Sequence, residues 1–483
     1  MFLLHKAVYN KNIRRVYHMK KIVVLSVMLF VTISMFACQT NSKIEVVIGM
    51  WPESANTDDI TMFNTWKERF EADYPEYEII GESFTYSVEA FYARANSKTL
   101  PTVFQTWFTE PQMIVSGGHA KDITDIVTDM GWYDKMDPEL RDYLTFDDKL
   151  YGIPRDGYGL GIIVNLNVFF DAGLVDDLDG DGIYDIVNPD NPEEKFYPQT
   201  MTELFVTAQA IKDNAGVDGL IILNVDKNGG WQYSNYAWAF GAELQVVGED
   251  NKVHSNLNSD EAVQAMEFLK SFYDAEIVPV GNMNYSEWAT RLGNGQIGMA
   301  IAGNDVISNV ITQGGMDRND IAFIPIPAGP AGQYTLFGGT PYMFSAYDTD
   351  EAVEGAIKFL EYMGRSPEVS EVAQSAMREG LQTATRKNML ILPEVRPWVN
   401  EDYVTLINSL NAQYVNVSSF HNFQDFYDML PETRRREEPY FTQYMYELLD
   451  QVVVNLKNPG FDVRSSLNSK QELFENYLRE QLD

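Results

Sequence analysis

The 483-residue chain contains one cysteine, Cys38, so no intramolecular disulfide can stabilise it. Stability must come from a hydrophobic core, which a chain of this length with 45% apolar residues can form. The length predicts two to three domains. Internal repeats and low-complexity tracts are also lacking, and nothing in the composition is typical of a disordered chain.

Positive charge is scarce. The chain has 36 lysines and arginines against 70 aspartates and glutamates, which gives a formal net charge of −34. A surface of this sign repels nucleic acid and anionic lipid headgroups, so neither is an expected partner. An anionic ligand would need a local basic pocket.

Common catalytic motifs are lacking as well: we find no GxSxG, HExxH or P-loop. One enzyme class stays open, because a polysaccharide-degrading enzyme needs only two carboxylates about 5 to 10 Å apart. With 70 acidic residues, the chain has enough carboxylates to supply such a pair.

The one long apolar run, residues 22–36, is too short to span a bilayer, which needs about 18 or more residues. It follows Lys20 and Lys21 and ends just before Cys38. This arrangement resembles a bacterial lipoprotein signal, in which the cysteine becomes the lipidated first residue. A plain cleaved signal is the alternative, since Met35 and Phe36 depart from the usual lipobox.

We therefore expect residues 1–37 to be a signal peptide with an upstream extension, and Cys38 to carry a lipid. The predicted location is the cell envelope, outside the cytoplasm, with the lipid as the only attachment to the membrane. Removal of these residues takes away six basic and no acidic side chains, so the mature charge would be −40.

Strand-like and helix-like segments alternate from Lys43 onward. The first part of the pattern consists of strands at 44–50, 77–80 and 102–107 with helices between them. The pattern then restarts with a strand at 159–164, a helix at 202–213 with a Thr200–Glu203 capping box, a strand at 220–223 and a helix at 260–272. Two α/β lobes are predicted.

Several short segments resemble, in order along the chain, the extracellular solute-binding proteins of ABC importers, in their sugar-binding, maltose-binding-protein-like branch. They are FEADYP (70–75), LPTV (100–103), GG (117–118) before KDITD (121–125), YGIP (151–154), VN (164–165) before AGL (172–174), NGQ (294–296), PIPAGP (325–330) and GG (338–339).

This resemblance implies a two-lobed periplasmic-binding-protein fold of type II, with hinge strands crossing near 155–160, 336–343 and 381–386. Lobe 1 would comprise 43–155 and 343–384, and lobe 2 would comprise 156–342 and 385–483. The implied function is that of a lipoprotein that binds a neutral or mildly acidic oligosaccharide between closing lobes and delivers it to ABC permease subunits. It also implies a monomer without catalytic activity.

A sugar site needs aromatic faces with carboxylates and amides nearby. Candidate side chains follow strands or lie at the crossings in both predicted lobes, although ordinary packing is the alternative for each aromatic residue. They are Trp51, Glu53, Gln105, Trp107, Glu110, Asp156, Tyr158, Trp231, Tyr236, Asn304, Asp305 and Tyr342.

Two segments that contain these residues bear on the kind of ligand. Many sugar binders carry Gly-x-Trp where this chain has Gly303-Asn304-Asp305, so hydrogen-bonding groups replace a stacking ring. Arg155 could recognise an acidic sugar, but a structural pair with Asp156 is the favoured interpretation.

An acidic loop at 177–185 matches the spacing of oxygen-rich Ca²⁺ loops, with glycine at relative position 6 for the sharp turn. The expected ligands are Asp177, Asp179, Asp181, Asp185 and the carbonyl of Ile183. Position 12 is Asn188 rather than glutamate, so the affinity would be modest. A solvated acidic loop is the alternative. The loop belongs to an apparent insertion at 175–197, and a calcium-dependent adhesion module is a further, less favoured, function class.

Overall fold

The computed structural model describes residues 43–482. The predicted signal peptide and Cys38 lie outside these residues. Within the described part of the chain, no helix is long and apolar enough to cross a membrane.

Thirteen strands are found among these residues. They are β1 (Ile44–Ile48), β2 (Tyr77–Gly81), β3 (Val103–Gln105), β4 (Thr145–Phe146), β5 (Lys149–Leu150), β6 (Gly152–Asn165), β7 (Asp218–Ile221), β8 (Gln245–Val247), β9 (Val253–Ser255), β10 (Ile297–Gly303), β11 (Ile321–Pro325), β12 (Thr335–Phe344) and β13 (Arg434–Arg436).

Seventeen α-helices are found in the same described part of the chain. They are α1 (Thr57–Asp73), α2 (Val88–Ser97), α3 (Pro111–Ser116), α4 (Thr124–Asp129), α5 (Pro138–Asp142), α6 (Leu166–Asp171), α7 (Met201–Asn214), α8 (Asn228–Phe240), α9 (Asp260–Asp274), α10 (Trp288–Gly293), α11 (Asn309–Thr312), α12 (Asp350–Tyr362), α13 (Glu371–Arg386), α14 (Glu401–Tyr414), α15 (His421–Thr433), α16 (Thr442–Val453) and α17 (Val463–Leu482).

The predicted capping box at the start of α7 is confirmed. The Thr200 side chain accepts a hydrogen bond from the Glu203 amide, and the Glu203 carboxylate accepts one from the Thr200 amide. Together these bonds satisfy two amides that a helix start leaves without partners.

The long strand β6 joins two sheets. Its first half pairs antiparallel with β12, which continues through β3 and β1 to β2. Its second half lies between β10 and β11, and β7 pairs parallel with β10. We call the part around β1, β2 and β3 the first lobe and the part around β7, β10 and β11 the second lobe. The predicted two-lobed fold with hinge strands is confirmed.

Alternation along β6 shows how the two lobes share one strand. Leu160 and Ile162 belong to the apolar core of the second lobe, whereas Ile163 packs into a core that extends to Val46 of the first lobe. Successive side chains of a strand point to opposite faces, so one strand serves both cores. The C-terminal helices α16 and α17 pack onto α8 and α9 of the second lobe.

The prediction of a hinge strand near 381–386 is wrong. These residues form the end of helix α13, which packs on α1 and α12. An unforeseen short strand, β13, instead pairs parallel with β12 at Thr335–Phe337, beside the hinge.

Candidate functional site

A cavity of about 570 Å³ lies between the two lobes, beside the crossing strands β6 and β12. Helices α1 and α13 and the segment 389–397 supply much of its apolar wall. Several of the predicted site residues, from both lobes, line it together: Gln105, Asp156, Asn304, Asp305 and Tyr342.

The polar groups of this cavity are held in place by the hinge. Arg155 Nη2 lies 2.5 Å from Asp156 Oδ2, and Asp156 Oδ1 accepts a hydrogen bond from the Thr340 amide at 3.2 Å. Arg155 is therefore paired with Asp156, as the favoured interpretation expected, and an acidic ligand loses its candidate partner.

Two amide side chains are also placed by the strands. Gln105 lies opposite Tyr342 in the register of β3 and β12. The Asn304 carbonyl oxygen accepts a 3.0 Å hydrogen bond from the Gly159 amide, which ties the end of β10 to the crossing strand. Asp305 follows directly and extends into the cleft. Desolvation there raises the pKa of Asp305 to about 6, with a smaller contribution from Asp156.

Three partly exposed rings form an aromatic wall near Asp305: Tyr158, Trp231 and Tyr285. The ring centroids of Tyr158 and Trp231 are 6.2 Å apart, and those of Trp231 and Tyr285 are 6.1 Å apart. Burial is the main cause of the raised pKa values of Tyr158 and Tyr285, and the charge of Asp305 adds to both. A Cβ atom on Gly303 would lie 2.4 Å from Asp305 Oδ1 and 3.3 Å from the Tyr158 ring, so Asp305 lies beside this wall.

The first turn of α8 fixes the position of Trp231. Asp450 of α16 accepts a 2.8 Å hydrogen bond from the Gly230 amide and another from the Lys227 amide. A Cβ atom on Gly230 would come within 2.4 Å of the Tyr446 carbonyl oxygen, so only glycine allows α16 to approach this closely.

Glu437 completes the aromatic wall and was not predicted. Its Oε1 accepts a 3.0 Å hydrogen bond from the Tyr446 hydroxyl. At Gly338, a Cβ atom would lie 2.6 Å from the Tyr158 hydroxyl and 3.2 Å from Glu437 Oε2, so these two groups face the same point. Burial, with a smaller contribution from Glu110, raises the pKa of Glu437 to about 8.

The loop after β3 carries Trp107 and Glu110. The Trp107 side chain is 41% exposed and its ring packs edge-on against Tyr86 at 5.0 Å. Glu110 is buried and accepts hydrogen bonds from Tyr86 at 2.9 Å and from Thr109 at 3.1 Å. Burial raises the pKa of the Glu110 carboxyl, against the effect of these two bonds.

Three of the predicted site residues lie apart from this group. Tyr236 is 3% exposed and belongs to the core of the second lobe, where ordinary packing accounts for it. The Trp51 ring packs on Phe63 at 5.2 Å, and a Cβ atom on Gly81 would meet its ring at 2.2 Å. Glu53 is exposed on the surface.

Tyr285, Arg365, Glu394 and Glu437 are site residues that the sequence did not reveal. Arg365 and Glu394 line the cavity with their charged groups 3.7 Å apart. Both come from segments whose path depends on long-range packing, so local patterns carry no signal for them. For Glu437, the only sequence signal was the run of three arginines before it.

The acidic insertion brings three carboxylates together. Oxygen atoms of Asp177, Asp179 and Asp185 lie within 4.8 Å of one another. One Ca²⁺ ion with bonds of about 2.3 to 2.6 Å can bridge oxygens at this spacing. Asp185 is fully buried and lies 2.7 Å from His421 Nε2, whereas the Asp181 carboxylate accepts a 3.2 Å hydrogen bond from Ser419.

Comparison with known proteins gives a family match. Residues 65–385 match the family model of bacterial extracellular solute-binding proteins. No curated protein matches the chain.

Solved structures share the fold at low sequence identity. The GacH receptor of Streptomyces glaucescens, studied with and without acarbose, has a TM-score of 0.67 at 17% identity, over 90% of this chain and 99% of that one. The cyclic alpha-maltosyl-1,6-maltose binding protein from Arthrobacter globiformis gives 0.62 at 17%, over 91% and 100%. UgpB from Mycobacterium tuberculosis, in complex with glycerophosphocholine, gives 0.65 at 15%, over 92% and 100%.

Proposed function

Because the chain belongs to the family of bacterial extracellular solute-binding proteins, we propose that it is the substrate-binding protein of an ABC importer. In this proposal it captures a sugar or oligosaccharide between its lobes and delivers it, without transforming it, to membrane permease subunits. As a member of an extracellular family, it acts outside the cytoplasm.

The aromatic wall beside a polar hinge is the observation that supports a sugar ligand. Trp231 and Tyr285 offer partly exposed ring faces, which suit the apolar faces of a sugar ring. Gln105 and Asp305 offer hydrogen-bonding groups in the cavity, and Glu437 offers another beside Tyr158 of the aromatic wall. Of the similar proteins, the GacH receptor is described in complex with acarbose, and the Arthrobacter globiformis protein is described as binding cyclic alpha-maltosyl-1,6-maltose.

Closure of the lobes would convert binding into a signal. A ligand that contacts Gln105 of the first lobe and Trp231 of the second gains its full contact energy only when the lobes approach each other. Ligand binding therefore shifts the population toward a closed form. The crossing strands β6 and β12 are the elements about which the lobes would move.

Attachment to the membrane is proposed through a lipid on Cys38, with residues 1–37 removed. Such a tether would keep the protein near its permease. It also accounts for a single cysteine in a chain that forms no disulfide.

Calcium in the acidic loop is a further part of the proposal. Asp177, Asp179 and Asp185 would hold the ion, since their oxygens have a suitable spacing. A bound Ca²⁺ would neutralise adjacent carboxylates and stiffen the insertion at 175–197, which is anchored to α15 through Asn422.

A thermal-shift screen against mono- and oligosaccharides tests the proposed function. A ligand that binds only the folded state raises the melting temperature by mass action. The same mixtures should contain no shortened oligosaccharides after incubation. Shortened products would favour the polysaccharide-degrading enzyme instead, and the absence of a shift with every sugar would contradict the proposed function.

A further inference from the structure

Glu437 is a cleft residue that comes from outside the part of the chain matched by the family model. That match ends at residue 385, whereas Glu437 follows strand β13 in the C-terminal part of the chain. Its carboxyl group is half-buried at the aromatic wall, within 3.0 Å of the Tyr446 hydroxyl. The contact is thus supplied by a segment that the family pattern does not cover.

Glu437 has no cationic partner among the ion pairs of residues 43–482. The three arginines before it point elsewhere. Arg434 pairs with Glu139, the guanidinium of Arg435 lies 4.7 Å from the centre of the Trp238 ring, and that of Arg436 lies 3.9 Å from the centre of the Tyr143 ring.

The neighbouring charged group that raises the pKa of Glu437 is another carboxylate, that of Glu110. Together with burial it raises the pKa of Glu437 to about 8, so a bare anion is unfavourable there. Asp305 adds a third acidic group beside the Tyr158 ring. The cleft therefore has an acidic, aromatic end in which Lys227 acts on Glu110, while Glu437 keeps no cationic partner among the described residues.

Aromatic faces and carboxylates together attract cations. An ammonium group near the faces of tryptophan and tyrosine is stabilised by the ring electrons, and more strongly when it is desolvated. A carboxylate adds a charge-assisted hydrogen bond. Tyr158 and Glu437 provide both kinds of contact, since the Tyr158 hydroxyl and Glu437 Oε2 face the same point at Gly338, and the Trp231 ring packs edge-on against Tyr158.

On the premise of the proposed function, we infer that the aromatic end of the cleft binds a protonated amino group, so that the preferred ligand is an amino sugar. Glu437 is the residue that sets this preference. This inference replaces the expectation of a neutral or mildly acidic sugar. Arg155, the residue expected to recognise an acidic sugar, is already paired with Asp156.

Matched ligand pairs test this inference by calorimetry on the whole protein. The pairs are glucosamine with glucose, galactosamine with galactose, and the β-1,4-linked glucosamine disaccharide with cellobiose, each amino sugar also in its N-acetylated, neutral form. At least one amino sugar should bind about tenfold or more tightly than both of its neutral counterparts. N-acetylation matters because it removes the charge and retains the sugar ring.

Glu437→Gln should reduce that preference to about threefold or less, because glutamine can still accept the Tyr446 hydrogen bond but carries no charge. Glu432→Gln is the matched control: it removes an exposed charge from α15 of the same segment and should leave the preference unchanged. Melting curves of both variants report whether they fold.

Four outcomes are distinguishable. A preference for the amino sugar that depends on Glu437 supports the inference. If no amino sugar binds more tightly than its neutral counterparts, the inference is overturned and the proposed function stands, and this comparison needs only the wild type. A preference that persists in Glu437→Gln overturns the role of Glu437. If no sugar of any kind binds, the proposed function fails and the inference fails with it.

Discussion

Trp231 is the side chain on which the proposed binding mode depends most. It lies in the first turn of α8 with part of its ring open to the cleft, between Tyr158 and Tyr285. Trp231→Ala should weaken sugar binding by about tenfold or more, because it removes a stacking contact of about 0.5 to 1.5 kcal/mol together with the buried area of a large ring. Titration calorimetry with a sugar that shifts the melting temperature measures this loss.

Phe170→Ala is a suitable control for that variant. Phe170 is also an aromatic residue of the second lobe, 43% exposed, but it stacks on Tyr184 beside the acidic insertion. Its removal should leave sugar affinity unchanged. Equal affinities of Trp231→Ala and the wild type would contradict the assignment of Trp231.

Glu110 should make stability depend on pH in a definite direction. Burial raises the pKa of Glu110 in the folded protein above the unfolded value of 4.5, so the folded state holds its proton more tightly. The contribution of Glu110 to stability is then greatest below pH 4.5 and falls as the pH rises toward the folded pKa. Glu110→Gln should melt at a higher temperature than the wild type at pH 7, and the difference should vanish near pH 4.

Melting curves at the two pH values measure this effect. A variant that is less stable than the wild type at pH 7 would show that the bonds from Tyr86 and Thr109 outweigh the burial of the charge.

Strand β13 ties both lobes to the hinge through alternating side chains. Arg434 and Arg436 face Glu139 and Tyr143 of the first lobe, whereas Arg435 covers Trp238 and lies near Glu438 in the second. Alternation in a strand is the reason that one short segment reaches both sides.

Arg435→Ala should destabilise the protein by about 1 to 3 kcal/mol, since it removes a cation from the face of buried Trp238 and leaves the buried Glu438 carboxyl without its positive neighbour. Chemical denaturation measures the change. Arg464→Ala removes an exposed pair with Asp260 and should change stability by less than about 1 kcal/mol. Similar losses for the two variants would contradict this role of β13.

The acidic insertion should respond to a chelator. If Ca²⁺ is bound, EDTA should lower the melting temperature of the wild type, because the ion is lost from the folded state only. Asp179→Asn removes one of the three clustered carboxylates and should largely abolish the response. Asp190→Asn, an exposed position of the same insertion, should keep it. An EDTA effect of equal size in all three proteins would favour the solvated loop.

Local patterns predicted the elements better than the hinge. The strands β1, β2 and β3 and the capped start of α7 follow from alternation, periodicity and capping, which depend only on neighbouring residues. Strand β13 and the helical end of α13 did not follow, since pairing with β12 and packing on α1 join segments far apart in the sequence.

The candidate site was also predicted only in part from local patterns. Gln105, Asp156 and Asp305 could be placed at the cleft because they follow strands or lie on a crossing strand. Tyr236 has the same local context as Trp231 but points into the core of the second lobe. The helix direction decides between them, and it is set by Asp450 of the distant helix α16.

The two lobes share β6 and β12, so the molecule has a hinge with the cleft directly beside it. A ligand held by both sides of the cleft would draw the lobes together about these strands. The free and bound populations then differ in shape as well as in stability.

Small-angle X-ray scattering with and without a stabilising sugar is therefore the most direct measurement of the central claim. We predict a smaller radius of gyration on saturation with a sugar that raises the melting temperature, and no such change for Trp231→Ala at the same sugar concentration. An unchanged radius for every stabilising sugar would contradict capture between closing lobes.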